Sequence, residues 1–188
     1  MNAVQVLPLA LLAALAAHAQ VIKPGRCPRP AVQQEFDAAR YLGTWYEIQR
    51  LPHRFQTGQC STASYSLKSP GVVGVLNREL RADGTVYSIS GTAVAEDPSE
   101  PAKLAVSFYE ILPYSPYWIL STDYVNTALV YSCTDILRLF HVDFAWILSR
   151  TRTLPESTVM NAKETFAKNN IDVSRMIDTK QEGCDKYL

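Results

Sequence analysis

The sequence predicts an all-β domain: an antiparallel meander of about eight strands, followed by one α-helix near the C-terminus. Three observations lead to this prediction. Short runs rich in Val, Ile, Tyr, Thr and Trp recur from residue 43 onwards, and turn-forming residues separate them. A later segment has the three- and four-residue apolar spacing of a helix. Such a meander either packs as a sandwich or closes as an up-and-down barrel.

The strands are predicted from runs of β-forming residues that are bounded by turns. The segment "RADGTV" (Arg81–Val86) contains the Asp-Gly pair of a two-residue hairpin turn. The segments "EDPSEPAK" and "LPYSPY" are turns marked by proline. The predicted strands lie at about 43–51, 59–68, 72–81, 85–95, 102–110, 116–122, 127–133 and 142–149, with a short last strand within 171–178.

The helix is predicted within "LPESTVMNAKETFAKNN" (Leu154–Asn170). Val159, Ala162 and Phe166 follow one another at three- and four-residue spacing, which places them on one face of a helix. Pro155 suits the start of a helix, and the pair of asparagines suits its end. The sequence therefore predicts one late helix that follows the eight strands.

Residues 1–19 are predicted to be a secretory signal peptide. They contain no Asp, Glu, Lys or Arg, and the apolar run Leu7–Ala17 is too short to span a bilayer. Ala17 and Ala19 form an A-x-A cleavage pattern before Gln20. A buried core helix is the alternative interpretation. We expect a secreted, extracellular protein whose mature chain is a single domain of residues 20–188.

Composition excludes several classes of partner. The chain has 18 basic and 18 acidic residues, so its charge balance gives no reason to expect nucleic acid or an anionic membrane as the main partner. Four cysteines in a secreted chain predict two disulfide bonds, with three possible connectivities between which the spacing does not choose. None of the spacings is C-x-x-C, so we expect neither a zinc nor a redox motif.

Alternation along four of the predicted strands produces faces that are apolar with a few polar interruptions. A solid core would not favour Tyr65 and Asn77 there, because buried polar groups need partners, whereas a ligand pocket needs this mixture. Taken singly, each residue is more often a packing residue than a ligand contact, and Asn77 is the strongest exception. These faces comprise Ala63, Tyr65 and Leu67; Val73, Val75, Asn77 and Glu79; Leu104, Val106 and Phe108; and Val142, Phe144, Trp146 and Leu148.

Three short motifs then point to a family. "GTW" (Gly43–Trp45), "TDY" (Thr122, Asp123 and Tyr124) and Arg150 resemble, in order and spacing, the three motifs of the lipocalins. The resemblance extends over nearly all of residues 20–188, for example through "LNRELRADGTV" and "LFHVDFAWILSR". It implies a single lipocalin domain: an eight-stranded antiparallel up-and-down β-barrel with one C-terminal helix outside.

The resemblance also implies roles for these motif residues. In lipocalins the motif tryptophan closes the narrow end of the barrel and packs under the arginine that follows the last strand. A guanidinium on an indole face gains cation–π attraction and buried contact along its stem. Gly43 lets the chain turn tightly where it enters the barrel. We therefore expect Trp45 and Arg150 to be structural residues, not ligand contacts.

Further residues are assigned by the resemblance alone. It implies the disulfide connectivity Cys27–Cys133 and Cys60–Cys184. It places the ligand pocket at Tyr65, Asn77, Phe108 and Trp146, which the alternation also selects. The polar groups of Tyr65 and Asn77 can bind a ketone, hydroxyl or carboxylate, and the two aromatic residues provide flat walls for a steroid or an acyl chain.

The chain departs at two positions from the mammalian members of the family that it resembles. Asp135 stands where they have an additional cysteine, so a covalent partner through that position is excluded. Leu112 stands where they have a methionine that is linked to reduction of lipid hydroperoxides, and that activity requires an oxidisable thioether. We therefore expect neither a disulfide-linked partner nor peroxide reduction through these positions.

The segment "DILRLFHV" (Asp135–Val142) links the last two predicted barrel strands and is unusually apolar for a loop. One interpretation is that its apolar residues fold back onto the barrel mouth. The other is that they remain exposed and contact a membrane or lipoprotein surface. The apolar residues concerned are Ile136, Leu137, Leu139 and Phe140.

The sequence favours binding over catalysis. It has no G-x-S-x-G, HExxH, phosphate-loop or dinucleotide motif, and the even cysteine count leaves no free thiol if both bridges form. We expect no enzymatic activity, no cofactor and no metal. The first hypothesis is a carrier of lipids such as arachidonate or steroids such as progesterone. The alternatives are a bilin or other pigment carrier, and a lipoprotein-associated protein whose pocket is incidental.

Overall fold

The computed structural model describes residues 22–109 and 113–187. The predicted signal peptide at residues 1–19 lies outside the described residues, as does Leu112. The described strands are β1 (Lys23–Pro24), β2 (Gly43–Arg50), β3 (Gln59–Ser69), β4 (Val72–Leu80), β5 (Val86–Ala95), β6 (Lys103–Ser107), β7 (Ser115–Thr122), β8 (Thr127–Ile136), β9 (Phe140–Ser149) and β10 (Ile177–Asp178).

Strands β2 to β9 form a closed antiparallel barrel. Each pairs with the next along the chain, and β2 pairs with β9, for example Tyr46 with Ser149. Closure leaves no barrel strand with an unpaired edge, which excludes the sandwich alternative. The two-residue strands lie outside this cycle, with β1 on β9 and β10 on β2. The predicted eight-stranded up-and-down barrel is confirmed.

One long helix, α2 (Glu156–Lys168), lies outside the barrel and confirms the predicted C-terminal helix. It buries Ala162 and Phe166, while Val159 is half-buried against the core. A single turn of helix, α1 (Ala38–Tyr41), precedes β2, and Asp37 caps it by accepting hydrogen bonds from the next backbone N–H groups. A 3₁₀ turn at Cys184–Lys186 follows β10.

The segment predicted as a loop at 135–142 is a hairpin instead. Strand β8 continues to Ile136 and β9 begins at Phe140, so the connection is only Leu137 to Leu139. Leu137 and Arg138 have φ angles of 51° and 61°, the left-handed conformation of a tight hairpin turn. The loop prediction was wrong because the backbone pairing of β8 with β9 continues to Ile136 and Phe140, whether or not the side chains there are buried.

Both disulfide bonds have the connectivity that the resemblance implies. Cys27–Cys133 ties the N-terminal segment to β8, with a Cα–Cα distance of 5.9 Å. Cys60–Cys184 ties the 3₁₀ turn to β3, with a Cα–Cα distance of 5.5 Å. The bridges close loops of more than a hundred residues, so each contributes about 5 kcal/mol in the chain-entropy model.

The two ends of the barrel differ. Trp45 is fully buried near the start of β2, where the chain enters the barrel, and we call this the closed end. The connections β2–β3, β4–β5, β6–β7 and β8–β9 all lie at the other end, which we call the open end. Any molecule that enters the barrel must therefore pass these four connections.

Arg150 seals the closed end. Its guanidinium lies 3.8 Å from the centre of the Trp45 ring. The same guanidinium donates hydrogen bonds to backbone carbonyls of Tyr124 (3.0 Å), Thr44 (3.0 Å), Arg40 (3.1 Å) and Leu42 (2.8 Å). One side chain thus satisfies carbonyl groups from three different segments while covering the indole.

Gly43 is required by this arrangement. Its φ angle is +95°, and a Cβ atom there would lie 3.2 Å from Nη1 of Arg150.

The motif at 122–124 supports the same end of the barrel. Thr122 Oγ1 donates to the carbonyl of Thr127, and Asp123 Oδ1 accepts from three consecutive backbone N–H groups at 125–127. Tyr124 accepts a hydrogen bond from the backbone of Asp37.

We expect Arg150→Ala to lower the free energy of unfolding by about 2–4 kcal/mol, because it uncovers the indole and leaves several carbonyls without their donor. Ligand affinity should not change, since the side chain lies at the closed end. Urea unfolding and ligand titration measure the two quantities. Arg152→Ala is the control: its guanidinium also stacks on an aromatic ring, that of Tyr46, but its Asp185 partner is exposed, so we expect a loss of about 1 kcal/mol. A loss of affinity with unchanged stability would contradict the structural role of Arg150.

Candidate functional site

The barrel encloses a cavity of about 390 Å³ that reaches the open end. The mouth side is lined by Phe55 and Gln56 from the β2–β3 connection and by Tyr109 and Pro113 from the β6–β7 connection. The structure brings all four residues of the predicted pocket to this one cavity: Tyr65, Asn77, Phe108 and Trp146. They come from four different strands or strand ends, so the barrel itself holds them together.

Alternation placed one residue wrongly. Leu67 was assigned to the inner face of β3 together with Tyr65, but its side chain is 68% exposed. Tyr65 pairs with Gly43 at the first residue of β2, so Leu67 lies beyond the end of the neighbouring strand. Alternation predicts a side of the sheet but not how far the barrel extends, which is why this assignment was wrong.

Tyr65 and Tyr117 form the floor of the cavity, and Tyr41 lies directly beneath them. The hydroxyl of Tyr117 lies 2.5 Å from that of Tyr65 and 3.3 Å from that of Tyr41. Below them, Tyr41 stacks on Trp45 with ring centres 5.0 Å apart, and its carbonyl accepts the indole N–H. Burial raises the pKa of all three phenols above the ordinary value, so they are neutral at physiological pH.

Two further polar atoms are available inside the barrel. Within residues 22–109 and 113–187, neither Oδ1 of Asn77 nor Oγ of Ser61 has a hydrogen-bond partner, although both atoms are buried. Both residues line the cavity. A buried acceptor without a partner costs free energy, and a ligand hydroxyl or a bound water would recover it. Asn77 is thus the polar group whose surroundings most clearly call for a partner.

Apolar side chains form the walls. Trp146 and Phe144 are parallel within 9°, with ring centres 5.9 Å apart, and Trp146 also approaches Tyr117. Phe108 lies against β5 at Gly91, where an added Cβ would come within 2.7 Å of its ring. Gly91 therefore lets Phe108 approach the sheet closely. The remaining apolar lining comes from Val75, Ile89, Ala93, Val106 and Leu148.

Charge inside the barrel is already compensated. Arg50 Nη1 lies 2.7 Å from Glu47 Oε1, and Thr179 and Gln56 donate further hydrogen bonds to the same carboxylate. Burial raises the pKa of Glu47, and the Arg50 charge opposes that rise. Arg78 also borders the cavity, but it is exposed and its neighbours in β4 face inwards, so its side chain lies on the outer face. The cavity therefore suits uncharged polar groups better than an unpaired anion.

His53 lies at the mouth of the cavity, and sequence reasoning did not identify it. Its ring stacks on Phe55 at 3.8 Å and meets Phe144 and Trp146 edge-on. In the described part of the chain, neither of its ring nitrogens has a hydrogen-bond partner. Burial, together with the nearby Arg50 charge, lowers the pKa of His53 to about 3. His53 therefore acts as a neutral aromatic ring that supports the Trp146 wall.

Tyr41 and Tyr117 were also missed as members of the site. Tyr41 belongs to the one-turn helix before the barrel, where no alternation pattern exists to assign it. Tyr117 is followed by Trp118 in β7, so the aromatic pair did not show which residue faces inwards. The signal that could have found Tyr117 is its register with inward-facing Leu104, its partner across β6 and β7.

The apolar residues predicted to contact a surface differ in exposure. Leu137, Leu139 and Phe140 are 84%, 64% and 43% exposed, whereas Ile136 is half-buried in β8. The first three therefore do not fold back into the mouth of the barrel. We call Leu137, Leu139 and Phe140 the apolar tip. It projects at the open end beside the cavity entrance.

Other chemistry was sought in the described residues. No group of three or more His, Cys, Asp or Glu side chains there is arranged to hold a metal ion, and all four cysteines are bridged. His141 and Asp143, which the sequence places two residues apart, have separate partners in Gly25 and Lys23. In the same residues, no helix is long and apolar enough to cross a membrane.

Comparison with known proteins agrees with this geometry. The family model described as a lipocalin-like domain matches residues 36–181. Apolipoprotein D of Cavia porcellus is 52% identical over 182 residues, which cover 96% of each chain. Apolipoprotein D of Mus musculus is 48% identical, again over 96% of each chain. The outer membrane lipoprotein Blc of Escherichia coli K12 is 34% identical over 81% of this chain and 83% of its own.

Solved structures give the same result for the fold. Insecticyanin from the tobacco hornworm Manduca sexta superposes with a TM-score of 0.75 at 27% identity, covering 86% of this chain and 89% of its own. Lobster apocrustacyanin A1 superposes with a TM-score of 0.73 at 28% identity, covering 85% of this chain and 91% of its own.

The depressed pKa of His53 predicts a dependence of stability on pH. Below about pH 6.5 the unfolded chain binds a proton at His53 that the folded chain does not bind until about pH 3. His53→Phe keeps the aromatic stack and removes the titration. We expect the wild type to lose stability relative to this variant by about 1.4 kcal/mol per pH unit as the pH falls through that window. Urea unfolding across the pH range measures the difference, which should be constant above neutrality; a difference that is also constant below pH 6.5 would contradict the neutral buried state.

Proposed function

The chain belongs to the lipocalin-like family, a family of carriers of small hydrophobic molecules, and on that premise we propose that it is a secreted carrier of lipids. The proposed ligands are fatty acids such as arachidonate and steroids such as progesterone, bound in the barrel cavity. One observation supports this above the others: the cavity combines extensive apolar walls with a few buried polar groups that lack partners or form a neutral chain. That combination is typical of small-molecule sites.

Each predicted pocket residue has a proposed role. Tyr65, with Tyr117, donates or accepts a hydrogen bond at the floor of the cavity. The amide of Asn77 binds a second oxygen of the ligand on the β4 side. Trp146 and Phe108 contact flat or extended apolar parts of the ligand from opposite walls. The position of these side chains around one cavity supports these proposed roles.

The polar groups favour one ligand orientation and one ligand class. Because the floor consists of neutral phenols, a ketone or hydroxyl fits there without desolvating a charge. An ionised carboxylate finds no unpaired cation inside, since Arg50 is engaged by Glu47. We propose that a steroid enters with an uncharged oxygen first, and that a fatty acid keeps its carboxylate at the open end.

A pigment carrier is the second candidate. The barrel superposes on those of insecticyanin and apocrustacyanin, and we therefore keep a bilin or other pigment among the candidate ligands. Secretion is supported by two disulfides, which persist in oxidising compartments. We propose no enzymatic activity, no nucleic-acid partner and no covalent partner at Asp135, whose carboxylate instead accepts a hydrogen bond from the backbone of Cys27. Peroxide reduction at Leu112 is likewise not proposed.

Tryptophan fluorescence tests the carrier function. Arachidonate, progesterone and biliverdin are titrated into delipidated, oxidised protein and into the variants Trp146→Phe and Trp118→Phe. We expect saturable quenching by progesterone that disappears with Trp146→Phe and persists with Trp118→Phe, since Trp118 does not line the cavity. Tyr65→Phe should weaken progesterone binding about fivefold, the effect of one hydrogen bond. Quenching by biliverdin alone would select the pigment carrier, and no quenching by any of the three with an intact fold would contradict a carrier.

The apolar tip supports a second proposed role, association with a lipoprotein or membrane surface. Leu137, Leu139 and Phe140 expose apolar side chains beside the entrance of the cavity, where a ligand could pass directly between lipid and barrel. Ile136, the fourth residue predicted to contact such a surface, is half-buried at the end of β8. The same exposure suits a lipoprotein-bound interaction protein whose pocket is incidental, the third candidate.

We expect Leu137→Ser combined with Leu139→Ser to reduce co-fractionation with lipoproteins at least about tenfold, since two exposed leucines lose their apolar contact. Leu67→Ser with Val125→Ser is the matched control, because these residues are 68% and 66% exposed at the closed end. Equal co-fractionation of both double variants and the wild type would contradict the role of the tip. Co-fractionation that survives filling of the cavity would favour the third candidate.

A further inference from the structure

A second concave site lies outside the barrel. A cleft of about 580 Å³ is formed between the N-terminal segment, the outer face of β9 and the segment that follows α2. Its walls include Lys23 and Arg26 from the first segment, His141 and Asp143 from β9, and Asp172 and Arg175 from the last. None of these residues lines the barrel cavity, so the cleft is separate from the carrier site.

The N-terminal wall of the cleft is held firmly. Lys23 pairs with His141 in the register of β1 and β9, and Gly25 donates from its N–H to the carbonyl of Leu139 at 2.8 Å. The ring of His141 in turn lies 3.0 Å from the carbonyl of Gly25. Two residues further on, Cys27 is bridged to β8. The cleft is therefore largely preformed, which lowers the entropic cost of binding.

The charges of the cleft leave two cations available. Lys23 is engaged by the buried carboxylate of Asp143 at 3.0 Å. Asp172 accepts a hydrogen bond from the backbone of Ser174, and its carboxylate also attracts the positive charges of Lys23 and Arg175. Arg26 and Arg175 are exposed, and among residues 22–109 and 113–187 neither forms a salt bridge, although Asp172 attracts Arg175 at longer range. The lining has three cationic and two anionic side chains, so it favours an anion although the whole chain has no net charge.

The cleft and the apolar tip form one continuous surface. Pro24, which lines the cleft, pairs across the sheet with Phe140 of the tip. The tip also carries Arg138 between its two leucines, and this residue is exposed. Apolar side chains and guanidinium groups are thus adjacent at the open end. A lipid surface presents the same two elements, with phosphate groups next to acyl chains.

We propose that this cleft binds the headgroup of an anionic phospholipid in a membrane or lipoprotein surface while the apolar tip contacts the acyl region. The inference rests on the proposed surface association and adds the class of lipid headgroup that the protein recognises there. Arg26 and Arg175 contact the phosphate, and Pro24 and Pro28 contact the apolar part of the headgroup region. Docking in this orientation places the cavity entrance against the lipid.

Vesicle binding tests the inference with the mature protein purified from the medium of expressing cells. Vesicles of phosphatidylcholine are compared with vesicles in which about a third of the lipid is phosphatidylserine, and we expect about tenfold tighter binding to the latter. Arg26→Gln with Arg175→Gln should remove most of that gain. Lys68→Gln with Lys163→Gln removes the same charge elsewhere and should keep it. Ligand quenching at Trp146 is measured for every variant and should be unchanged.

Several outcomes would overturn the inference. Equal binding to both kinds of vesicle would do so, as would an equal loss of the phosphatidylserine gain in the two double variants. Binding of inorganic phosphate that depends on Arg26 and Arg175, without any preference for phosphatidylserine vesicles, would also do so, because it would identify a site for free phosphate. Loss of binding to both vesicles in the Leu137→Ser, Leu139→Ser variant, without any phosphatidylserine gain in the wild type, would leave the proposed surface association intact and remove only the headgroup site.

Discussion

The stacking of Arg150 on Trp45 is the interaction on which the rest of the barrel depends. A barrel of eight strands must close one end to hold a ligand, and an open end would leave the unpaired carbonyls of three chain segments exposed there. The guanidinium of Arg150 closes this end because it covers the indole, and the same group donates hydrogen bonds to those carbonyls. The tyrosine floor rests directly on the same indole through Tyr41. The depth and the chemistry of the cavity are therefore consequences of the closed end.

The cavity illustrates how a fold can keep polar groups buried without charging them. Phenols at the floor and an amide on the wall retain hydrogen-bonding capacity while burial keeps the phenols neutral. Full charges occur only where a network compensates them, as at Glu47 and Arg50. His53 follows the same rule, since it stays neutral against Trp146. Selection among hydrophobic ligands then depends on a few hydrogen bonds and on shape.

The sequence predicts the frame of this molecule better than its details. Strand periodicity, the Asp-Gly hairpin and the helical spacing around Phe166 are local signals, so the strands and α2 could be assigned without tertiary contacts. Alternation and the family resemblance selected the same four pocket positions, and these four residues line one cavity. Leu67 was misplaced and Tyr117 was missed because each depends on where neighbouring strands end or pair. His53 was missed because a loop residue is buried only by partners distant in sequence.

The central claim is that a ligand lies inside the barrel between the tyrosine floor and the Trp146 wall. A crystal structure of the delipidated protein soaked with progesterone tests it most directly. The account predicts steroid density within the cavity, with one ligand oxygen in hydrogen-bond contact with the hydroxyl of Tyr65 or Tyr117 and with the ring system against Trp146. Steroid density found only on the outer surface would contradict it. So would a barrel interior that the side chains of Phe108 and Trp146 fill themselves, leaving no space for a ligand.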